Sequence, residues 1–126
     1  METFQFALPY PPSVNHYWRK WRGKMVISQS GRDYRRDVVN AIETQYQDVV
    51  RFDCPVIVLM VMHPPDRRKR DIDNIEKAVY DSLKHCGVIK DDSLIIQQFV
   101  VKSNPVTGGR LYLTIVPAKG FGGNDA

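Results

Sequence analysis

The sequence predicts an α+β fold, a single small domain in which a mixed sheet packs against two main helices. Two observations carry this reading. Short apolar runs with strand character recur at 3–8, 25–28, 56–62, 94–101 and 110–116, and between them two stretches space their apolar residues as one face of a helix does. A third observation sets the size: no repeat or linker divides the 126 residues, a length that suits one hydrophobic core.

In "TFQFAL", Phe4, Phe6 and Leu8 alternate and predict a strand over 3–8. "PYPPSVNHYWRKWRGK" then breaks regularity at Pro9, Pro11 and Pro12 and makes a loop rich in aromatic and basic groups. "MVIS" at 25–28 reads as a short strand. From Ser30 onward Tyr34, Val38, Ile42, Tyr46 and Val49 recur at helical spacing; Ser30 and Asp33 make a capping-box start, and the helix is expected to end near Val50. "VIVLMVM" at 56–62 is apolar on both alternating faces, the pattern of a central strand covered on two sides. Ile75, Ala78, Val79, Leu83 and Cys86 draw a second helix over 73–86, closed by Gly87. "LIIQQFVV" and "RLYLTIV" follow as strands, with "KSNPVTGG" between them as a hairpin connection, giving the order β(β)αβαββ. The domain is placed at 1–117 and a flexible tail at 118–126.

Apolar residues at 43% and charged residues at 25% are ordinary globular values, which excludes wholesale disorder. The longest apolar run, "CPVIVLMVM" at 54–62, is far below the roughly 20 residues of a membrane span, and no basic-then-apolar leader opens the chain, so a cytoplasmic protein without membrane contact is expected. Cys54 and Cys86 lack metal spacing and read as buried thiols. The net charge of +4 is modest, but three clusters, at 19–24, 32–36 and 67–70, hold eleven of the 18 Lys and Arg residues. Such clustering suits a polyanion, although a solvated face has the same composition.

The segment "DRRKRDIDNIEK" sets Arg67, Arg68, Lys69 and Arg70 directly against Asp71 and Asp73. On the second helix, Asp73, Lys77, Tyr80 and Lys84 fall opposite the apolar stripe. Asp91 and Asp92 reach that helix start only if the loop after it returns along its length. Carboxylates so gathered, about 4 Å apart, would repel by about 4 kcal/mol per pair at an effective dielectric of 20, so they call for protonation or a cation. Magnesium suits such a set, since it takes a few carboxylate oxygens, retained waters and phosphate oxygens. The same residues also admit quieter roles: Asp73 with Glu76 as a cap and its partner, Asp73 with Lys77 as an i, i+4 pair, and Asp91-Asp92 as a turn. An EF-hand is excluded because Ile75 stands at a ligand position, and His16, His63 and His85 show no zinc spacing.

"MHPPDRRKRDIDNIEKAVYDSLKHCGVIKDDSLI" resembles the signature region of the RusA-type Holliday junction resolvases: an apolar strand, a basic run, D-x-D-N-x-x-K, an aromatic-D-x-L helix, then G-x-x-x-D-D before a strand. "LPYPPSVNHYWR" looks like that family's opening and "GGRLYLTI" like its closing strand, so the likeness spans nearly everything but the tail. It implies a RusA-like fold and a magnesium-dependent endonuclease that makes paired symmetric nicks in four-way DNA junctions during recombination and repair, often in phage or prophage settings. Carried over by position, it implies Asp71, Asp73 and Asp92 as catalytic metal-binding acids, Asp91 as an adjacent metal group and Lys77 as an auxiliary catalytic group. Asp81 falls in the shared helix pattern and reads as structural. Arg67, Arg68, Lys69 and Arg70 become contacts to the junction backbone, and Asn15, Tyr17, Trp18 and Arg19 contacts near the branch point. Because a four-way junction is nearly two-fold symmetric and this chain has one acid cluster, a homodimer is implied. Two other readings stand beside it: a catalytically silent branched-DNA-binding dimer, and a phage scaffold or interaction protein whose acids only cap and pair.

Overall fold

The computed structural model describes residues 3–118. In chain order the elements are β1 (Phe4–Leu8), α1 (Val14–Tyr17), β2 (Trp18–Trp21), β3 (Lys24–Ile27), α2 (Gln29–Gln45), β4 (Val56–His63), α3 (Asp73–His85), a 3-10 turn (Asp92–Leu94), β5 (Ile95–Lys102) and β6 (Arg110–Pro117). The main sheet has the order β1-β6-β4-β5, with β4 and β5 parallel and the other pairs antiparallel; β2 and β3 form a separate ribbon. The sheet is therefore mixed, and the α+β class holds.

The core lies between one face of this sheet and the helices. Val56, Val58, Met60 and Met62 of β4 and Leu111, Leu113 and Ile115 of β6 turn inward to meet Val38 of α2 and Ala78, Val79 and Leu83 of α3, all buried. The expectation that β4 is covered on both sides is not met within one chain. Its inward residues are buried, whereas Leu59 on the opposite face is 40% exposed. The long apolar run reflects the strand's central place in the sheet, not a second helical layer.

The expected β5–β6 hairpin is also overturned, because β4 sits between those two strands. β4, α3 and β5 make a parallel crossover unit, and residues 103–109 carry the chain past the end of β4, with Ser103 N donating to Met62 O at 2.7 Å and Val106 N to Pro64 O at 2.9 Å. The loop expected over 9–24 contains α1 and the β2–β3 ribbon; Arg22 and Gly23, with φ of 51° and 73°, make the left-handed two-residue turn that joins antiparallel strands.

The first long helix starts two residues earlier than a Ser30 cap would allow. Ser28 is the cap, its hydroxyl accepting from Gly31 N at 3.0 Å, while Asp33 accepts from the Gln29 side chain at 2.9 Å. That helix ends at Gln45, short of Val50, and Val49 is 91% exposed. The physical reason is the free edge of β1: Gln45 bonds Ala7 N and O at 2.7 and 2.8 Å, and the Tyr46 hydroxyl bonds Gln5 N and O at 3.1 and 2.8 Å. Two side chains thus satisfy an edge that would otherwise invite another strand. α3 ends close to expectation; Gly87 at φ 85° donates to Lys84 O and Val88 N to Leu83 O, a Schellman stop. Ala118 still bonds Pro55 O at 2.9 Å; the rest of the assigned tail, 119–126, lies outside the described residues. Cys54 and Cys86 are half-buried, where burial was expected.

Candidate active site

β4 delivers the chain to Pro64 and Pro65, which turn it out of the sheet. Asp66 then organises the basic run. Its carboxylate accepts from Arg68 N at 2.9 Å and from Arg70 Nη1 at 2.7 Å, and these bonds, the Arg70 one foremost, hold it down at about 2. Lys102 Nζ donates to Arg70 O at 2.9 Å, which pins the backbone immediately before Asp71 from the side of β5. Arg67, Arg68 and Lys69 are left exposed and Arg70 half-buried.

α3 begins at Asp73 with Ile72 at its cap position and no side-chain cap bond. Asp73 therefore does not cap, and its partnership with Glu76 across a capping box is absent. Asp71, Asp73 and Lys77 are exposed, and among the described residues no hydrogen bond or ion pair engages their side chains. Negative charge at a helix N-terminus is favoured by the unsatisfied N–H groups there, so two acids persist at this point without partners. One turn further on, Lys77 lines a cleft of about 420 Å³ with Glu76, Tyr80, Asp92 and Gln98. Tyr80 donates to Gln98 there; burial, then the nearby Glu76, push its phenol above the ordinary range.

The 3-10 turn after α3 packs on that helix, and Asp92 lines the same cleft as Lys77, but Asp91 lies at Lys84 in the last turn of α3, so the pair is not returned to the helix start. Asp91 behaves differently: it accepts from Ser93 N at 3.0 Å and lies 3.1 Å from Lys84 Nζ, and its bonds to Ser93, then to Lys84, hold it near 2. Asp71 stands on the other side of the helix start, in a recess with Tyr10, Pro11, Lys69, Arg70 and Asn74. Among the described residues no three His, Cys, Asp or Glu side chains converge as a metal-holding group. In chemistry the set still fits a hard divalent ion: Asp71, Asp73 and Asp92 offer only carboxylate oxygens, none already engaged.

The profile of the family described as Endodeoxyribonuclease RusA matches residues 9–116. Crossover junction endodeoxyribonuclease RusA of Shigella sonnei is 42% identical over 115 residues, which cover 91% of this chain and 95% of that protein. The Escherichia coli K12 protein of the same name is 41% identical, and that of Enterobacteria phage 82 is 42% identical, over the same shares. The chain belongs to the RusA family.

Within this RusA fold the N-terminal candidates separate. Asn15 and Arg19 are exposed, and Trp18 is half-buried with its ring edge-on to Tyr17 at 5.1 Å. Tyr17 is a correction: it is fully buried and so offers no face to a base. Its hydroxyl donates to Asp81 and accepts from Arg35 Nε at 3.0 Å, and Arg35 Nη2 lies 2.7 Å from Asp81. This knot ties α1 and α2 to α3 and positions the helix that presents Asp73 and Lys77. Glu76 was assigned to a cap and instead faces the cleft with Asp92; its place on the 73, 77, 80 face was the available signal. Lys102 was missed because it reaches Arg70 from 32 residues away, a contact that no local spacing encodes; Asp66 was missed although its bonds to Arg68 and Arg70 are local, and its place two and four residues before them was the available signal. Among the described residues no helix is long and apolar enough to cross a membrane.

Proposed function

We propose that this chain resolves Holliday junctions as a magnesium-dependent, structure-selective endonuclease that makes paired symmetric nicks. The observation that carries this reading is the head of α3, where Asp71 and Asp73 stand unengaged beside a basic run whose nearest arginine, Arg70, is turned away to Asp66. Arg70 takes the partner four residues back, and the acids that follow it are left open. The family membership directs that open site toward DNA.

Asp71 and Asp73 would hold the ion, two carboxylates being enough for Mg²⁺ when waters and phosphate oxygens complete its shell, with Asp92 joining from the adjacent cleft. Bound magnesium supplies a water of lowered pKa and a positive charge on the scissile phosphate. Lys77, exposed one turn along α3, holds its ammonium toward the leaving oxygen. Asp91, bonded to Ser93 and Lys84, fixes the turn that presents Asp92. Arg67, Arg68 and Lys69 neutralise backbone phosphates, which makes affinity salt-dependent, while Asn15, Trp18 and Arg19 contact strands near the branch point. One acid site per chain and two opposed nicks per junction require a C2 homodimer. The setting is DNA recombination and repair in the cytoplasm.

The test is cleavage of an end-labelled synthetic four-way junction with Mg²⁺, beside a linear duplex of the same sequence. Symmetric paired nicks in the junction and none in the duplex are expected. The lack of a three-carboxylate group among the described residues favours one second reading, a branched-DNA-binding dimer without cleavage. It predicts tight junction binding, intact strands and no effect of Asp71→Asn.

A further inference from the structure

One element belongs to neither the main sheet nor the helical layer. β2 and β3 pair with each other, from Trp18 with Ile27 to Trp21 with Lys24, and with no strand of the main sheet. At the base of this ribbon Trp18 and Ile27 are half-buried against the core, and Ser28 donates to Tyr17 O from both its hydroxyl and its N–H at 2.9 Å. Gly31 of α2 comes so close that a Cβ there would stand 2.5 Å from Tyr17 O and 2.6 Å from the Ile27 side chain. The ribbon is thus clamped where it leaves the fold. Beyond the clamp Lys20, Trp21, Arg22, Lys24 and Met25 are all exposed, Trp21 at 48% and Met25 at 59%, and a Cβ on Gly23 at the turn would meet nothing within 4 Å.

The charge of the tip is as one-sided as its exposure. No Asp or Glu occurs between residues 3 and 32, and among the described residues Arg19, Lys20, Arg22 and Lys24 enter no ion pair. The Arg22 guanidinium sits 4.4 Å from the centre of the Trp21 ring, covering one face of the indole and orienting the other outward. We propose that this ribbon is a stacking arm for DNA, in which Trp21 takes the face of an unpaired or unstacked base while the surrounding cations take the phosphates beside it. Every base has a π-face to offer, and the strand that carries it is neutralised by Lys and Arg.

The place at which the arm acts rests on the junction-resolving reading given above. His16 of α1, two residues before the ribbon, lines a recess of about 680 Å³ together with Arg68, Lys69 and Arg70, so the ribbon and the basic run border one surface. The Tyr17 hydroxyl at the ribbon's base bonds Asp81 on α3, which fixes the arm against the helix that carries Asp73. Trp18, half-buried with its ring edge-on to Tyr17, has less face to offer than Trp21. A perfect duplex keeps its bases stacked and paired, whereas a branch point opens them. Trp21 is then a specificity-determining residue: the exposed basic run grips any backbone, and the arm adds affinity only where a base is accessible.

Fluorescence anisotropy of the full chain without divalent metal, on a labelled four-way junction, a duplex and a single strand of the same sequence, reads the arm through binding alone. Trp21→Ala should weaken junction and single-strand binding about 10-fold and duplex binding less than about 2-fold. Trp21→Phe should recover most of that loss, and both variants should melt near wild type because the side chain is already exposed. In a Trp18→Phe chain, where Trp21 is the only tryptophan left of two, junction DNA should quench the emission and duplex should not. Lys24→Ala should weaken all three DNAs alike and lower the salt slope by about one counterion. Equal losses on junction and duplex in Trp21→Ala, or an emission that junction DNA leaves unchanged, would overturn the arm. So would a Trp21→Ala chain that keeps wild-type affinity for all three DNAs and loses binding only to phosphatidylserine vesicles. A wild type that binds with these ratios but does not cut the junction with Mg²⁺ would remove the proposed activity and leave the arm standing.

Discussion

Asp73 and Asp81 stand on the same helix, two turns apart, and live in different surroundings. Asp81 is a quarter exposed, and the molecule surrounds it with the Arg35 guanidinium at 2.7 Å and the buried Tyr17 hydroxyl. Asp73 is exposed and has no such partner. A carboxylate withdrawn from water must be compensated, and Asp81 is. One left in water need not be, so its freedom is informative only where cations stand close by. They do: Arg70 adjoins Asp71 in sequence, yet its guanidinium goes to Asp66. The difference separates an acid that holds the fold from acids that the fold leaves unengaged.

The largest effect that would break this comparison is on catalysis. Asp73→Asn, and separately Asp71→Asn, should lower junction cleavage by at least about 100-fold, about 2.7 kcal/mol of transition-state stabilisation, while thermal stability stays within about 0.5 kcal/mol and junction binding persists. Single-turnover nicking, a gel shift and a melt on the same preparations measure all three. Asp81→Asn should show the opposite profile: a loss of about 1–2 kcal/mol in stability, modest because both partners are partly exposed, and a melting point several degrees lower, with nicking per folded molecule retained.

A smaller effect concerns pH. Asp66 and Asp91 are depressed from 3.8 to about 2 in the folded chain, so each contributes stability that is full above about pH 4 and lost as pH falls through about 2. Urea unfolding between pH 5 and pH 2 should show this decline, and Asp66→Asn should flatten part of it. An unchanged slope in that variant would remove Asp66 as the organiser of the loop. The smallest effect separates members of the basic run. Lys69→Ala should reduce the salt dependence of junction binding by about one counterion, whereas Arg70→Ala should reduce it less, because Arg70 is already paired in the free protein.

Much of this was legible in the sequence, for physical reasons that also mark where reading stops. Phe4, Phe6 and Leu8, and the Ile75–Leu83 stripe, obey local periodicity, and their strand and helix are where the pattern places them. The Gly87 stop was visible because one backbone position needs a positive φ. Strand order was not visible: "KSNPVTGG" has hairpin composition, yet β4 takes the place between β5 and β6, a choice made by sheet-wide packing. α2 ends early because Gln45 and Tyr46 reach β1, 38 and 41 residues away in sequence. The acids at 71 and 73 could be nominated from spacing and family likeness. That Asp73 does not cap, that Tyr17 is buried beneath the loop it belongs to, and that Glu76 shares a cleft with Asp92 are facts of tertiary contact.

The central claim is that Asp71 and Asp73 are held open for a divalent ion. Isothermal titration of Mg²⁺ into the wild-type chain, the Asp71→Asn/Asp73→Asn chain and the Asp81→Asn chain tests it most directly. The account predicts binding to wild type and to Asp81→Asn and its loss in the double variant; equal binding by all three would contradict it.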